Sequence, residues 1–202
     1  MKKKIGVFGG TFDPIHYGHL LFAEQVRSLC KLEKVIFIPA KFPPHKIEDE
    51  VTSIDDRFEM VKQAIESNAG FQISDIEKCS DDLSFTYNTL SKLKQMLSED
   101  YELYFILGAD AWLEIENWYK SESLFKEFSF IIGDRPGYKE DFVEKQINKI
   151  KDKYETKIFK IDILEIEISS SNIRELARKN LSFKYLTPEV VENYINNFHL
   201  YK

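Results

Sequence analysis

Short apolar runs rich in β-branched and aromatic residues alternate with amphipathic stretches along most of the chain. The runs fall at 4–8, 34–38, 71–76, 102–107, 128–132 and 157–161, and the stretches between them at 17–29, 54–67, 87–97, 109–119 and 140–153. In the second stretch Ile54, Phe58, Val61 and Ile65 recur at i, i+4, i+7 and i+11, the spacing of one helical face. Two further helices are predicted at 172–178 and 188–197. The second opens with Thr187-Pro188-Glu189, a cap followed by proline at the first helical position. Strands separated by helices pair through crossovers rather than hairpins, which makes a parallel sheet covered on both faces. The expectation is an α/β fold of one domain over 1–202, with a mainly parallel sheet of about six strands. A small C-terminal helical part follows at 169–202. No linker rich in Pro, Gly or Ser divides the chain, and no internal repeat is visible.

The 202 residues suffice for a full core without staples, and 43% apolar with 31% charged residues excludes a disordered class. No apolar run approaches the ~18 residues of a bilayer span, and the basic start Met1-Lys2-Lys3-Lys4 is not followed by a signal-length apolar stretch. Cys30 and Cys79 make neither a disulfide framework nor a CxxC pair, which suits a reducing cytoplasm. The net charge, 28 − 34 = −6, argues against a nucleic-acid partner, and no membrane partner is expected. A homo-oligomer is left open.

The most informative segment runs from the first strand into the first helix: Gly9-Gly10-Thr11-Phe12-Asp13-Pro14-Ile15-His16-Tyr17-Gly18-His19. Gly9 and Gly10 permit a close backbone approach, and amides at a helix start favour phosphate oxygens. His16 and His19 stand three apart, so on a first helical turn both imidazoles point the same way. Two convergent imidazoles beside a phosphate cradle can stabilise charge building on phosphorus and its leaving group. The same HxxH spacing could hold a metal, but a structural zinc takes about four ligands, and the other histidines are only His45 and His199. The string is neither GxGxxG nor GxxxxGK[ST].

A second strand-to-helix turn is expected at Ser169-Ser170-Ser171-Asn172-Ile173-Arg174, with Ser171 as N-cap and Arg174 offering a planar fork to phosphate. The loop at 39–53 carries Pro43-Pro44-His45-Lys46, and a shorter loop carries Asp134-Arg135-Pro136-Gly137. Both follow strand carboxyl ends, where an open α/β sheet binds ligands. Thr86 or Ser84 would cap the helix near Tyr87. Gly108 ends a strand, and Asp110 beside it suits a ribose contact. Trp118 offers a flat face on which a cationic ring can stack or equally a core side chain, whereas Trp112 reads as core.

These segments together resemble the nucleotidyltransferase superfamily with its T/HxGH signature, and in particular the bacterial nicotinate-mononucleotide adenylyltransferases. The matches run in the family's order from Ile5 to Arg174 and cover nearly the whole chain. The resemblance implies a Rossmann-like, doubly wound nucleotidyltransferase domain that joins ATP and nicotinate mononucleotide and releases pyrophosphate. It implies His16, His19 and Arg174 in catalysis, and Gly9, Gly10, Thr11, Phe12, Ser169, Ser170, Ser171 and Arg135 around ATP. Lys46, Thr86, Gly108, Asp110 and Trp118 would surround the mononucleotide, with Mg²⁺ held mainly through ATP and no protein metal site. Ser171 replaces the family's Thr, Phe85 a Tyr and Asn88 an Asp; the last loses a charge. Pantetheine-phosphate adenylyltransferases and cytidylyltransferases share the phosphate chemistry, and a non-catalytic nucleotide sensor is the competing reading from another class. The Pro-Pro-His-Lys, Gly-Ala-Asp and Trp118 set separates the first two.

Overall fold

A computed structural model of the chain describes residues 2–42, 51–80, 83–134, 140–164 and 166–202. Six strands, β1 (Lys3–Gly10), β2 (Lys34–Pro39), β3 (Phe71–Ile73), β4 (Tyr101–Gly108), β5 (Ser129–Asp134) and β6 (Ile158–Asp162), form one sheet. Its order is β3-β2-β1-β4-β5-β6, and every pairing is parallel. The helices are α1 (Tyr17–Leu29), α2 (Ile54–Ile65), α3 (Thr86–Met96), α4 (Ala109–Glu114), α5 (Ser121–Glu127), α6 (Glu140–Lys153), α7 (Ser170–Arg178) and α8 (Glu189–Asn197).

The period-two side-chain alternation of the strands divides the interior into two layers. Ile5, Val7, Ile36, Ile38, Leu103, Phe105 and Leu107 point to the face covered by α3, α4, α5 and α6. Phe8, Val35, Phe37, Tyr104 and Ile106 point to the face covered by α1, α2, α7 and α8. Strand order reverses between β1 and β4, which leaves a crevice at their carboxyl ends. Gly9, Gly10 and Gly108 stand at that crevice. Among the described residues no helix is long and apolar enough to cross a membrane.

Four local expectations are corrected. The stretch 109–119 is not one helix: α4 ends at Glu114, a 3₁₀ turn follows at Ile115–Asn117, and Trp118 is extended. A further helix, α5, then begins after Lys120, which holds a left-handed conformation with φ 54°. The buried stripe of α2 is Arg57, Met60, Val61 and Ile65, rotated from the predicted one, and Phe58 lies half-buried beneath the Lys78 ammonium. The expected caps shift as well. Ser169 rather than Ser171 caps α7, Phe85 occupies the α3 cap position without a side-chain bond, and Pro188 rather than Thr187 precedes α8.

Candidate active site

The loop after β1 is shaped by aromatic packing. Phe12 takes φ 50° and buries its ring edge-on against Phe8 and His19, with centroids 5.5 and 5.1 Å away. A Cβ on Gly10 would come within 2.9 Å of that ring, so the glycine is required by the loop's own fold. The Phe12 side chain, expected beside ATP, therefore belongs to the core and lines neither cavity described below.

His16 is the N-cap of α1 and His19 its third residue. They form a reciprocal capping box. The His19 N–H donates to His16 Nδ1 at 3.4 Å, and the His16 N–H to His19 Nδ1 at 3.3 Å. The rings stack with centroids 3.7 Å apart and 23° between planes. An Nδ1 that accepts must be unprotonated, so each neutral ring carries its proton on Nε2, which becomes its donor. Burial lowers the His16 pKa from 6.5 to about 4; burial first, then the His16 charge, holds His19 well below its ordinary value. Gly18 makes room for the stack, since a Cβ there would lie 3.0 Å from His16 Nδ1.

The loop that bears the imidazoles hangs from the carboxyl-terminal part of the chain. Arg174 Nη1 donates to the Asp13 carbonyl at 2.8 Å, Ser170 Oγ to the Pro14 carbonyl at 2.9 Å, and Thr187 Oγ1 to the Ile15 carbonyl at 2.7 Å. The Tyr17 N–H donates to the Leu186 carbonyl. All three serine hydroxyls are engaged within the protein. Ser169 accepts from the Asn172 N–H, Ser170 holds Pro14, and Ser171 accepts from Arg174 Nη2. What α7 offers an anion is the first-turn amides of Ser170 and Ser171 and its dipole, beside a guanidinium whose buried Nε makes no hydrogen bond.

Two cavities flank this segment. One, of about 350 Å³, is lined by Gly9, Gly10, Thr11, Thr86, Trp118 and the stacked pair Phe85 and Tyr119. Trp118 meets Phe105 edge-on at 6.1 Å, which leaves the indole on the cavity wall, while Trp112 is fully buried in the core as expected. The other, of about 330 Å³, is lined by His16, Gly18, His19, Gly108, Asp110 and the strap residues Ile163, Leu164, Ile166 and Ile168. Gly108 and Asp110 thus stand with the imidazoles, across the β1–β4 crevice from Thr86 and Trp118. Lys46 and Arg135 lie outside the described residues.

Sequence reasoning missed the residues that hold the walls. Arg57, 1% exposed, donates to the carbonyls of Thr11, Ala40 and Thr52 at 2.8, 2.7 and 2.8 Å. Its signal was present: a cation three residues after Ile54, on an otherwise apolar stripe. Glu77 accepts from Thr89 Oγ1 and from the Lys41 N–H, and Ser84 Oγ from the Phe42 N–H, so the backbone at 40–42 is fixed from two sides. Gln25 pairs with Leu164 through both amide atoms, donating at 2.9 Å and accepting at 2.7 Å, and so anchors the strap. No local pattern marks these contacts, because their partners are remote in sequence.

A family model described as "Cytidylyltransferase-like" matches residues 7–176. The chain is 43% identical over 199 residues to "Probable nicotinate-nucleotide adenylyltransferase" of Thermoanaerobacter sp. (strain X514), covering 98% of this chain and 94% of that protein. It is 42% identical over 200 residues to a protein of the same name from Clostridium perfringens (strain SM101 / Type A), covering 99% and 98%. Among solved structures it is similar to Plasmodium falciparum nicotinic acid mononucleotide adenylyltransferase complexed with NaAD. The TM-score is 0.80 at 26% identity, over 98% of this chain and 97% of that one. The same enzyme complexed with APC gives a TM-score of 0.78.

Proposed function

Because the chain belongs to the cytidylyltransferase-like family, and within it to the nicotinate-nucleotide adenylyltransferases, we propose that it transfers AMP from ATP to nicotinate mononucleotide. The products are nicotinate adenine dinucleotide and pyrophosphate. The observation that carries this reading is the pair of cavities, one aromatic and one bearing the imidazoles, that share the β1–α1 segment as a common wall.

The aromatic cavity suits the pyridinium mononucleotide. Trp118 and the Phe85–Tyr119 pair supply ring faces, and the first amides of α3 at Thr86 supply donors for the carboxylate. The other cavity suits the adenosine half; Gly108 and Asp110, expected around the mononucleotide, line this cavity instead, and Asp110 is assigned to the ribose of ATP. A phosphate oxygen of the mononucleotide, ionised at neutral pH, attacks the α-phosphorus, and the bond from that phosphorus to pyrophosphate breaks. No general base is needed. The protein supplies alignment and relief of charge. The Nε2–H groups of His16 and His19, the Gly9–Gly10–Thr11 backbone, the amides at Ser169, Ser170 and Ser171 and the Arg174 guanidinium take that part. By resemblance, Lys46 receives the mononucleotide phosphate and Arg135 the adenylate side.

Mg²⁺ enters as part of the ATP substrate, bound mainly through phosphate oxygens. The acidic net charge of −6 argues against a nucleic-acid partner, and two cysteines outside any disulfide support a cytoplasmic setting. The deciding experiment measures pyrophosphate release from MgATP with nicotinate mononucleotide, nicotinamide mononucleotide and phosphopantetheine in turn. The nicotinate substrate should react fastest; faster reaction with phosphopantetheine, or none with any acceptor, would overturn the assignment.

A further inference from the structure

The carboxylate of Asp13, 2% exposed and three residues before His16, is held by two donors from distant parts of the fold. Tyr201, in the turn after α8, donates its hydroxyl to Oδ1 at 2.7 Å. The Thr52 N–H, at the start of α2, donates to Oδ2 at 3.4 Å. The carbonyl of the same residue receives Arg174. Nearby, the buried Arg57 guanidinium grips the carbonyls of Thr11 and Thr52, so both ends of the segment 11–13 are tied to one polar node beneath the loop. The Asp13 carboxylate, the Tyr201 hydroxyl and the Arg57 guanidinium line neither cavity, and the proposed chemistry uses none of the three.

A buried carboxylate is costly unless its lone pairs are satisfied. Losing one donor therefore leaves Asp13 free to pull its backbone toward another partner. That backbone leads in three residues to His16 and in six to His19, whose reciprocal hydrogen bonds already stand at 3.3 and 3.4 Å. A shift too small to unfold the loop is enough to misalign two Nε2–H donors against a transition state. Burial, and after it the Asp13 carboxylate, push the Tyr201 phenol above its ordinary value, so the hydroxyl stays a donor through the working pH range.

We propose that Tyr201 is a positioning residue for adenylyl transfer, acting through Asp13 to set the loop that carries His16 and His19. This rests on the nicotinate-mononucleotide reading above. A comparison inside the same protein separates positioning from mere stapling. Tyr194 also donates its hydroxyl to a carboxylate, Asp56 Oδ1 at 2.9 Å, but at α2 rather than at the loop.

The test purifies the full chain as wild type, Tyr201→Phe and Tyr194→Phe, and measures pyrophosphate release, both KM values and thermal melting. The expected result for Tyr201→Phe is a fall in kcat of about tenfold, an order suggested by the sensitivity of catalysis to sub-ångström placement. Both KM values should stay within about twofold. Tyr194→Phe should keep wild-type kcat whatever its melting temperature. Wild-type kcat in Tyr201→Phe, or a loss that Tyr194→Phe shares at equal destabilisation, would overturn the proposal. A wild-type protein inactive with nicotinate mononucleotide would instead strike the functional assignment itself.

Discussion

His16 and His19 cap each other: each imidazole Nδ1 accepts the other residue's backbone N–H, and the rings stack at 3.7 Å. The helix start thereby decides which nitrogen of each ring is left for chemistry. The two rings proposed to converge on one phosphate are fixed by the same two hydrogen bonds that begin α1.

Removing either ring should therefore act mainly on the transition state. His16→Ala and His19→Ala are each expected to lower kcat by about 10²–10³, the loss seen when one preorganised oxyanion donor is deleted. Steady-state pyrophosphate release measures it. Near-normal turnover in both variants would remove the pair from the reaction.

The same imidazoles set a pH dependence of stability. His16 titrates near 4 in the folded protein against 6.5 ordinarily, and His19 is displaced in the same direction. Between those values the unfolded chain binds protons that the native state refuses, so stability is full above about pH 6.5 and declines as pH falls toward about 4. Melting temperature against pH should fall less steeply in His16→Gln than in the wild type. Parallel curves would contradict the assignment.

Trp118 lies on the wall of the aromatic cavity and on no wall of the other. Trp118→Ala should weaken the mononucleotide by about 1–3 kcal/mol, the worth of one ring stack, and leave the KM for ATP unchanged. Initial rates with each substrate varied in turn decide it.

Gln25 holds Leu164 of the strap at the wall of the cavity that bears the imidazoles. Gln25→Ala deletes both hydrogen bonds to Leu164, of roughly 1 kcal/mol each, and the KM for ATP should rise about fivefold to tenfold with that for the mononucleotide constant. Equal changes in both would assign the strap to general stability.

The parallel sheet was legible because its signal is local: apolar runs of strand length separated by helical periodicity. The HxxH pair was legible for the same reason, since both rings sit on one turn. Trp118 could be singled out but not placed. Its position depends on α4 stopping at Glu114, and that stop is imposed by packing around Ile115 and Leu124 rather than by a Gly or Pro. Ser171 looked like the cap because three serines are equivalent in sequence; Ser169 takes the role once Ser170 is committed to Pro14, 156 residues away. Tyr201 left no trace at all, since its partner Asp13 is 188 positions distant.

That distance has a consequence for the timing of activity in the cell. The carbonyls of residues 13–15 are held by residues 174, 170 and 187, so a chain still emerging from the ribosome can complete its sheet and yet lack a set reaction centre. A copy ended before Ser170 lacks all three tethers and is expected to release no pyrophosphate from MgATP. Assembly of the site then waits for the closing helices to dock.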